Sequence, residues 1–76
     1  MYKITYVEGS GIEKELPNRF EALSEAQDYL KSLLNNSNFF RSTETKEWWL
    51  RNYRAEIMER HTLTINDAKY NIVSEN

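Results

Sequence analysis

Tyr2-Lys3-Ile4-Thr5-Tyr6-Val7-Glu8-Gly9-Ser10-Gly11-Ile12-Glu13-Lys14-Glu15-Leu16 is the stretch on which the reading of the fold turns. Tyr2, Ile4 and Tyr6 alternate with Lys3 and Thr5, the two-residue period of a half-buried strand. Glu8-Gly9-Ser10-Gly11 then offers the positive-φ tolerance that a tight turn needs. Ile12, Lys14 and Leu16 alternate with Glu13 and Glu15 until Pro17 interrupts. A β-hairpin over residues 2–16 is expected, stopped by Pro17.

A helix follows. Asn18-x-x-Glu21 and Ser24-x-x-Gln27 both have the form of a capping box, which leaves its start open by one or two turns. Ala26, Tyr29, Leu30, Leu33 and Leu34 recur at helical spacing, and Leu23 extends the stripe toward Phe20. That stripe is expected to pack on the Tyr2/Ile4/Tyr6 face of the hairpin, and Asn35-Asn36-Ser37-Asn38 to end the helix.

Beyond it two readings compete. Ser42 or Thr43 can cap a second helix over about 44–52, followed by a long strand with Ala55, Ile57, His61, Leu63 and Ile65 on one face. Alternatively the helix runs on to Arg60 and gains Glu47–Arg51 and Glu56–Arg60 pairs at i,i+4. The first is adopted, because no stop signal stands between Arg60 and the strand-like Thr62-Leu63-Thr64-Ile65. Asn66-Asp67 makes a turn, and Lys69-Tyr70-Asn71-Ile72-Val73 returns as the last strand. The order is ββα(α)ββ, an α+β fold in a single domain over 1–76, with one or two helices on one face of an antiparallel sheet.

Composition narrows the function classes. The 76 residues include ten aromatics among about thirty apolar side chains, a heavy ring content for a chain whose burial is limited by its size. With no Cys there is neither a disulfide framework nor a thiolate zinc site, and one His leaves no multi-histidine metal centre. No metal and no cofactor is implied. No apolar run approaches the ~18 residues needed to span a bilayer, and the alternating first residues lack the apolar core of a signal peptide. A cytoplasmic protein without membrane contact is expected, and Asn35-Asn36-Ser37 then has no bearing as a glycosylation sequon. Residues 1–38 carry four basic and six acidic side chains, and 39–61 five against four, so no basic stripe suits a phosphate backbone.

The usual catalytic constellations are also missing. His61 would need a carboxylate to orient it, and in the extended reading Glu59 shares its face while Glu56 does not. No Gly-rich elbow precedes any serine, as a positioned nucleophile requires. The pairs Glu13/Glu15, Glu21/Glu25 and Glu44/Glu47 sit on solvent faces with basic neighbours, where nothing lifts a carboxyl pKa. Glu8-Gly9-Ser10-Gly11 leads into a strand, so it is a hairpin turn and not a phosphate loop. The chain is not expected to be an enzyme.

One segment has content: Phe39, Phe40, Arg41, Trp48, Trp49, Arg51, Tyr53 and Arg54. Trp, Tyr and Arg are the residues enriched at protein-binding hot spots. Neighbours on a helix diverge by about 100° and on a strand by about 180°, so both rings of Phe39-Phe40 or Trp48-Trp49 cannot enter one core. The expected function is therefore a non-catalytic protein-binding module that contacts another protein, or its own copy, through residues 39–54. The alternative is single-stranded nucleic-acid binding by base stacking on the rings, disfavoured by Glu44 and Glu47 within the segment.

In element order, and in the phrase Phe20-x-x-Leu23-Ser24-Glu25-Ala26-x-x-Tyr29-Leu30, the sequence resembles small α+β proteins encoded by phages and prophages of low-GC bacteria. The resemblance covers most of the chain and carries over no functional residue. It implies a protein that engages a host protein, as an inhibitor or modulator. The acids between Glu8 and Asp28 would suit a basic target, or form a plain solvated face.

Overall fold

In the computed structural model, which describes residues 1–36, 51 and 53–75, β1 (Tyr2–Glu8), β2 (Lys14–Phe20), β3 (Thr62–Ile65) and β4 (Ala68–Ser74) form one antiparallel sheet. Their order is β2-β1-β4-β3, so the first and last strands lie side by side at the centre. Helix α1 (Leu23–Asn36) follows β2, and the helical residues 51 and 53–59 belong to a second helix, α2, ahead of β3. The α+β architecture expected from the sequence is the one observed.

β1 and β4 are in register over seven pairs, from Tyr2–Ser74 to Glu8–Ala68. Directly opposed residues share a face, so Ile4 with Ile72 and Tyr6 with Tyr70 point to one side, as does Leu63 opposite Tyr70. On that side Ile4, Leu30, Leu34, Ile57 and Leu63 form the core, each at most 1% exposed. Leu16, Phe20, Tyr29, Tyr53, Tyr70 and Ile72 pack around them. Tyr6 stacks on Tyr70 with ring centroids 5.5 Å apart, and Phe20 meets Tyr29 at 5.6 Å. The periodic stripe of α1 is thus the buried face, with Ala26, Leu30 and Leu34 turned onto the sheet.

Three expectations need correction. First, Pro17 does not stop the hairpin, because β2 continues through it to Phe20. Between the pairs Lys3–Arg19 and Thr5–Glu15, β1 has one residue and β2 has three, Leu16, Pro17 and Asn18. Proline is tolerated because β2 is an edge strand and the bulge asks for no ladder N–H at that position. Arg19 completes the bulge, its Nη1 donating to the carbonyls of Leu16 and Asn18 at 3.2 Å each.

Second, α1 uses neither proposed capping box. It begins at Leu23, and the Glu25 carboxylate reaches back to accept the Ala22 N–H at 3.0 Å. This is the returning half of a capping box, with alanine where a hydroxyl residue is usual.

Third, the long strand through 55–65 is instead a helix and a short strand, with 53–59 helical and β3 starting at Thr62. The expected helix over 44–52 lies outside the described residues except for residue 51, which is helical. The stop is His61, whose φ is +58°. A left-handed residue after the last turn reverses the chain, and histidine enters that region more readily than most non-glycine residues. The reversal is fastened on both sides. Arg60 N–H donates to the Glu56 carbonyl at 3.2 Å, and Ile72 N–H to the His61 carbonyl at 2.9 Å. Gln27 of α1, only 6% exposed, donates its side-chain amide to the Met58 carbonyl at 3.5 Å. This satisfies a terminal carbonyl that the helix cannot pair.

Asn66 and Asp67 form the expected turn, both with positive φ (49° and 63°), as a two-residue hairpin of the mirror-image type requires. Gly9, at φ +56°, donates its N–H to the Asp67 carbonyl at 2.8 Å and joins the two turns.

The left-handed reversal makes a direct prediction. His61→Gly should raise stability by about 0.5–1 kcal/mol by removing the Cβ penalty, whereas His61→Val should lower it by more than 1 kcal/mol. Urea unfolding midpoints at constant slope measure both changes.

Candidate protein-contact site

Of the eight residues expected to form the contact, Phe39, Phe40, Arg41, Trp48 and Trp49 lie outside the described residues. Arg51, Tyr53 and Arg54 are described and all belong to α2. Two of them share a direction and one does not. Tyr53 and Ile57 are four residues apart, hence on one face, and both turn inward: Ile57 is 1% exposed and Tyr53 packs against the core. Burial, then the nearby Glu56 carboxylate, raises the Tyr53 phenol above its ordinary pKa. Arg51 and Arg54 are exposed, together with Ala55, Met58, Glu59 and Arg60. Met58 is 37% exposed.

α2 is held in this rotation by Ile57 in the core and by a bond to the start of β3. The Glu56 carboxylate accepts the Thr62 hydroxyl at 3.3 Å, tying the helix to the start of β3. A cavity of about 200 Å³ lies between Leu34, Tyr53 and the β3–β4 turn, lined also by Thr64 and Ile65. The outward face therefore gathers two exposed Arg and a Met at i, i+3 and i+7, residue types enriched where proteins meet.

The opposite face of the sheet is chemically different. Lys3, Thr5, Asn71 and Val73 line a groove of about 490 Å³ with Glu13 and Glu15, and no aromatic among the described residues borders it. The described residues offer it no ring on which a base could stack. At its end four charges close a ring. Lys3 Nζ lies 3.1 Å from Glu15 and 3.8 Å from Glu75, and Arg19 lies 3.0 Å from Glu15 and 3.1 Å from Glu75. Each cation touches both anions, so the cluster is neutral and ties the bulged edge strand to β1 and to the residue after β4. Hydrogen bonds from Lys3, then from Arg19, hold the Glu15 carboxyl below its ordinary pKa. The same contact with Glu15 raises that of Arg19. In sequence Glu13 and Glu15 read alike as solvated charge. Only the bulge, which sets Arg19 beside Lys3, separates them.

His61 takes part through its backbone, at the junction of α2 and β3. Among the described residues no three acidic or histidine side chains gather as metal ligands. Nor is any helix among them long and apolar enough to cross a membrane. The chain matches no known protein family, and no curated protein or solved structure matches it either.

The charge ring sets a pH dependence. Because the folded-state pKa of Glu15 is depressed, its stabilisation is present at neutral pH and is lost as pH falls through that depressed value. Glu15→Gln should therefore melt below the wild type at pH 7, with the gap closing as the pH is lowered through the carboxylate range. Thermal unfolding followed at several pH values reads this directly, and a gap that widens in acid contradicts it.

Proposed function

We propose that this protein is a non-catalytic protein-binding domain whose contact surface is the outward face of α2, continued by the aromatic segment that precedes it. One observation carries the reading. α2 spends Tyr53 and Ile57 on the core while directing Arg51, Arg54 and Met58 to solvent. An exposed Arg pays no desolvation cost in the free protein and can form charge-assisted, often bidentate hydrogen bonds once a partner carboxylate arrives. An exposed Met adapts its shape to an irregular apolar surface. The flanking Phe39, Phe40, Trp48 and Trp49 add the ring types that dominate binding hot spots.

The partner this surface suits carries carboxylates around an apolar patch. A chain without cysteine is suited to the reducing cytoplasm. The resemblance to phage and prophage proteins points to a bacterial host protein that the domain inhibits or modulates. Among the described residues, the polar groove on the far side of the sheet has no ring to serve nucleic-acid stacking as a second platform.

Parallel affinity capture from lysate, with the wild type and Arg51→Glu/Arg54→Glu as baits, tests the proposal. Both substitutions fall on exposed positions, so the two proteins should melt within about 1 kcal/mol of each other. The expected outcome is at least one protein enriched on the wild type and reduced about tenfold or more on the variant, in line with loss of two interfacial charges. Trp49→Ala and Phe40→Ala should reduce the same protein. Identical capture by the wild type and the charge-reversed bait overturns the assignment of α2 as the contact.

A further inference from the structure

The two helices share one side of the sheet, since Leu30 and Leu34 of α1 and Ile57 of α2 enter the same core with Ile4 and Leu63. Their outward faces therefore lie in one layer, and they carry opposite charge. α1 and the residues leading into it expose Glu21, Glu25 and Asp28, with Lys31 paired to Asp28 at 3.6 Å. α2 and its end expose Arg51, Arg54 and Arg60 against Glu59. An acidic half beside a basic half on one surface is self-complementary. A two-fold axis lying in the plane of the contact, between the two helices, sets α2 of each copy on α1 of the other.

We infer that the partner of the α2 face is a second copy of this chain, in an isologous dimer that pairs the basic face of α2 with the acidic face of α1. This rests on the reading of α2 as a protein-contact face and puts a second copy, in place of a host protein, on that face. Both charged contacts form twice in such a dimer, so a net-acidic chain can associate with itself because its charges are segregated, despite its formal net charge of -2. The Met58 side chain adds apolar contact to the same surface. The arrangement is closed, so association ends at two copies and does not run on to fibres.

Charge-swapped chains test this. One carries Arg51→Glu/Arg54→Glu, so that both helices are acidic. The other carries Glu21→Lys/Asp28→Lys, so that α1 becomes basic like α2, with Glu25 spared because it caps α1. Sedimentation equilibrium should find the wild type dimeric at micromolar concentration, with association weakened about tenfold or more between low and high salt as the charges are screened. Each variant alone should be monomeric, and their equimolar mixture dimeric, which also shows that both variants fold. A wild type that stays monomeric overturns the second-copy assignment while leaving capture of another protein by α2 as a separate result. A dimer that persists in each unmixed variant overturns it as well, by placing the interface elsewhere.

Discussion

The pairing of β1 with β4 is the constraint on which the other elements depend. The two central strands come from opposite ends of the described chain, and each has a neighbour on both sides. Ile4 and Ile72 stand opposite each other, and Ile4 is fully buried beneath α1 and α2. Until these strands meet, the β1–β2 hairpin is a two-stranded ribbon, marginal in water, and α1 has only half a surface to cover. The entropy of closing so long a loop must be met before the core rewards it, which gives this small domain a non-local folding problem.

From that pairing the orientation of α2 follows. β4 fixes β3 by the Asn66-Asp67 turn, and β3 receives the chain from His61 in its left-handed conformation. Ile57 must then reach the space between Leu30, Leu34 and Leu63, and this sets the rotation of the helix. Arg51 and Arg54 point outward as a consequence of where Ile57 points inward. The candidate contact face is thus a by-product of core packing, and core substitutions near Ile57 would disturb it without touching it.

Periodicity carried much of the fold. The alternation in Tyr2–Tyr6 and the stripe Ala26–Leu34 each reflect one buried face repeated over several residues, so a local pattern reports them directly. The failures share a cause, since each was decided by a single residue or by a distant partner. Ala55, Ile57, Leu63 and Ile65 fit an extended face as well as they fit a helix and strand divided at His61, because a positive φ leaves no trace in hydropathy. Pro17 looked like a stop because nothing nearby reveals that β2 is an edge strand with a bulge. The charge ring of Lys3, Glu15, Arg19 and Glu75 joins residues up to 72 positions apart, a closeness that only the register supplies. In the candidate site Arg51 and Arg54 were legible as charged residues among rings. That Tyr53 belongs to the core follows from its i,i+4 relation to Ile57, which was hidden by reading this stretch as a strand.

Native-state hydrogen exchange on the full chain tests the primacy of the central pair most directly. The bonds from Gly9 to Asp67, Ile72 to His61 and Glu75 to Met1, with the alternation of an antiparallel ladder, direct the Thr5 and Asn71 amides at each other across β1 and β4. These two amides should be among the slowest to exchange, at the free energy of global unfolding, with the amides of β2 and α2 opening at or below it. Exchange at Thr5 and Asn71 by a lower-energy opening that leaves the β1–β2 hairpin or α1 protected would contradict the account.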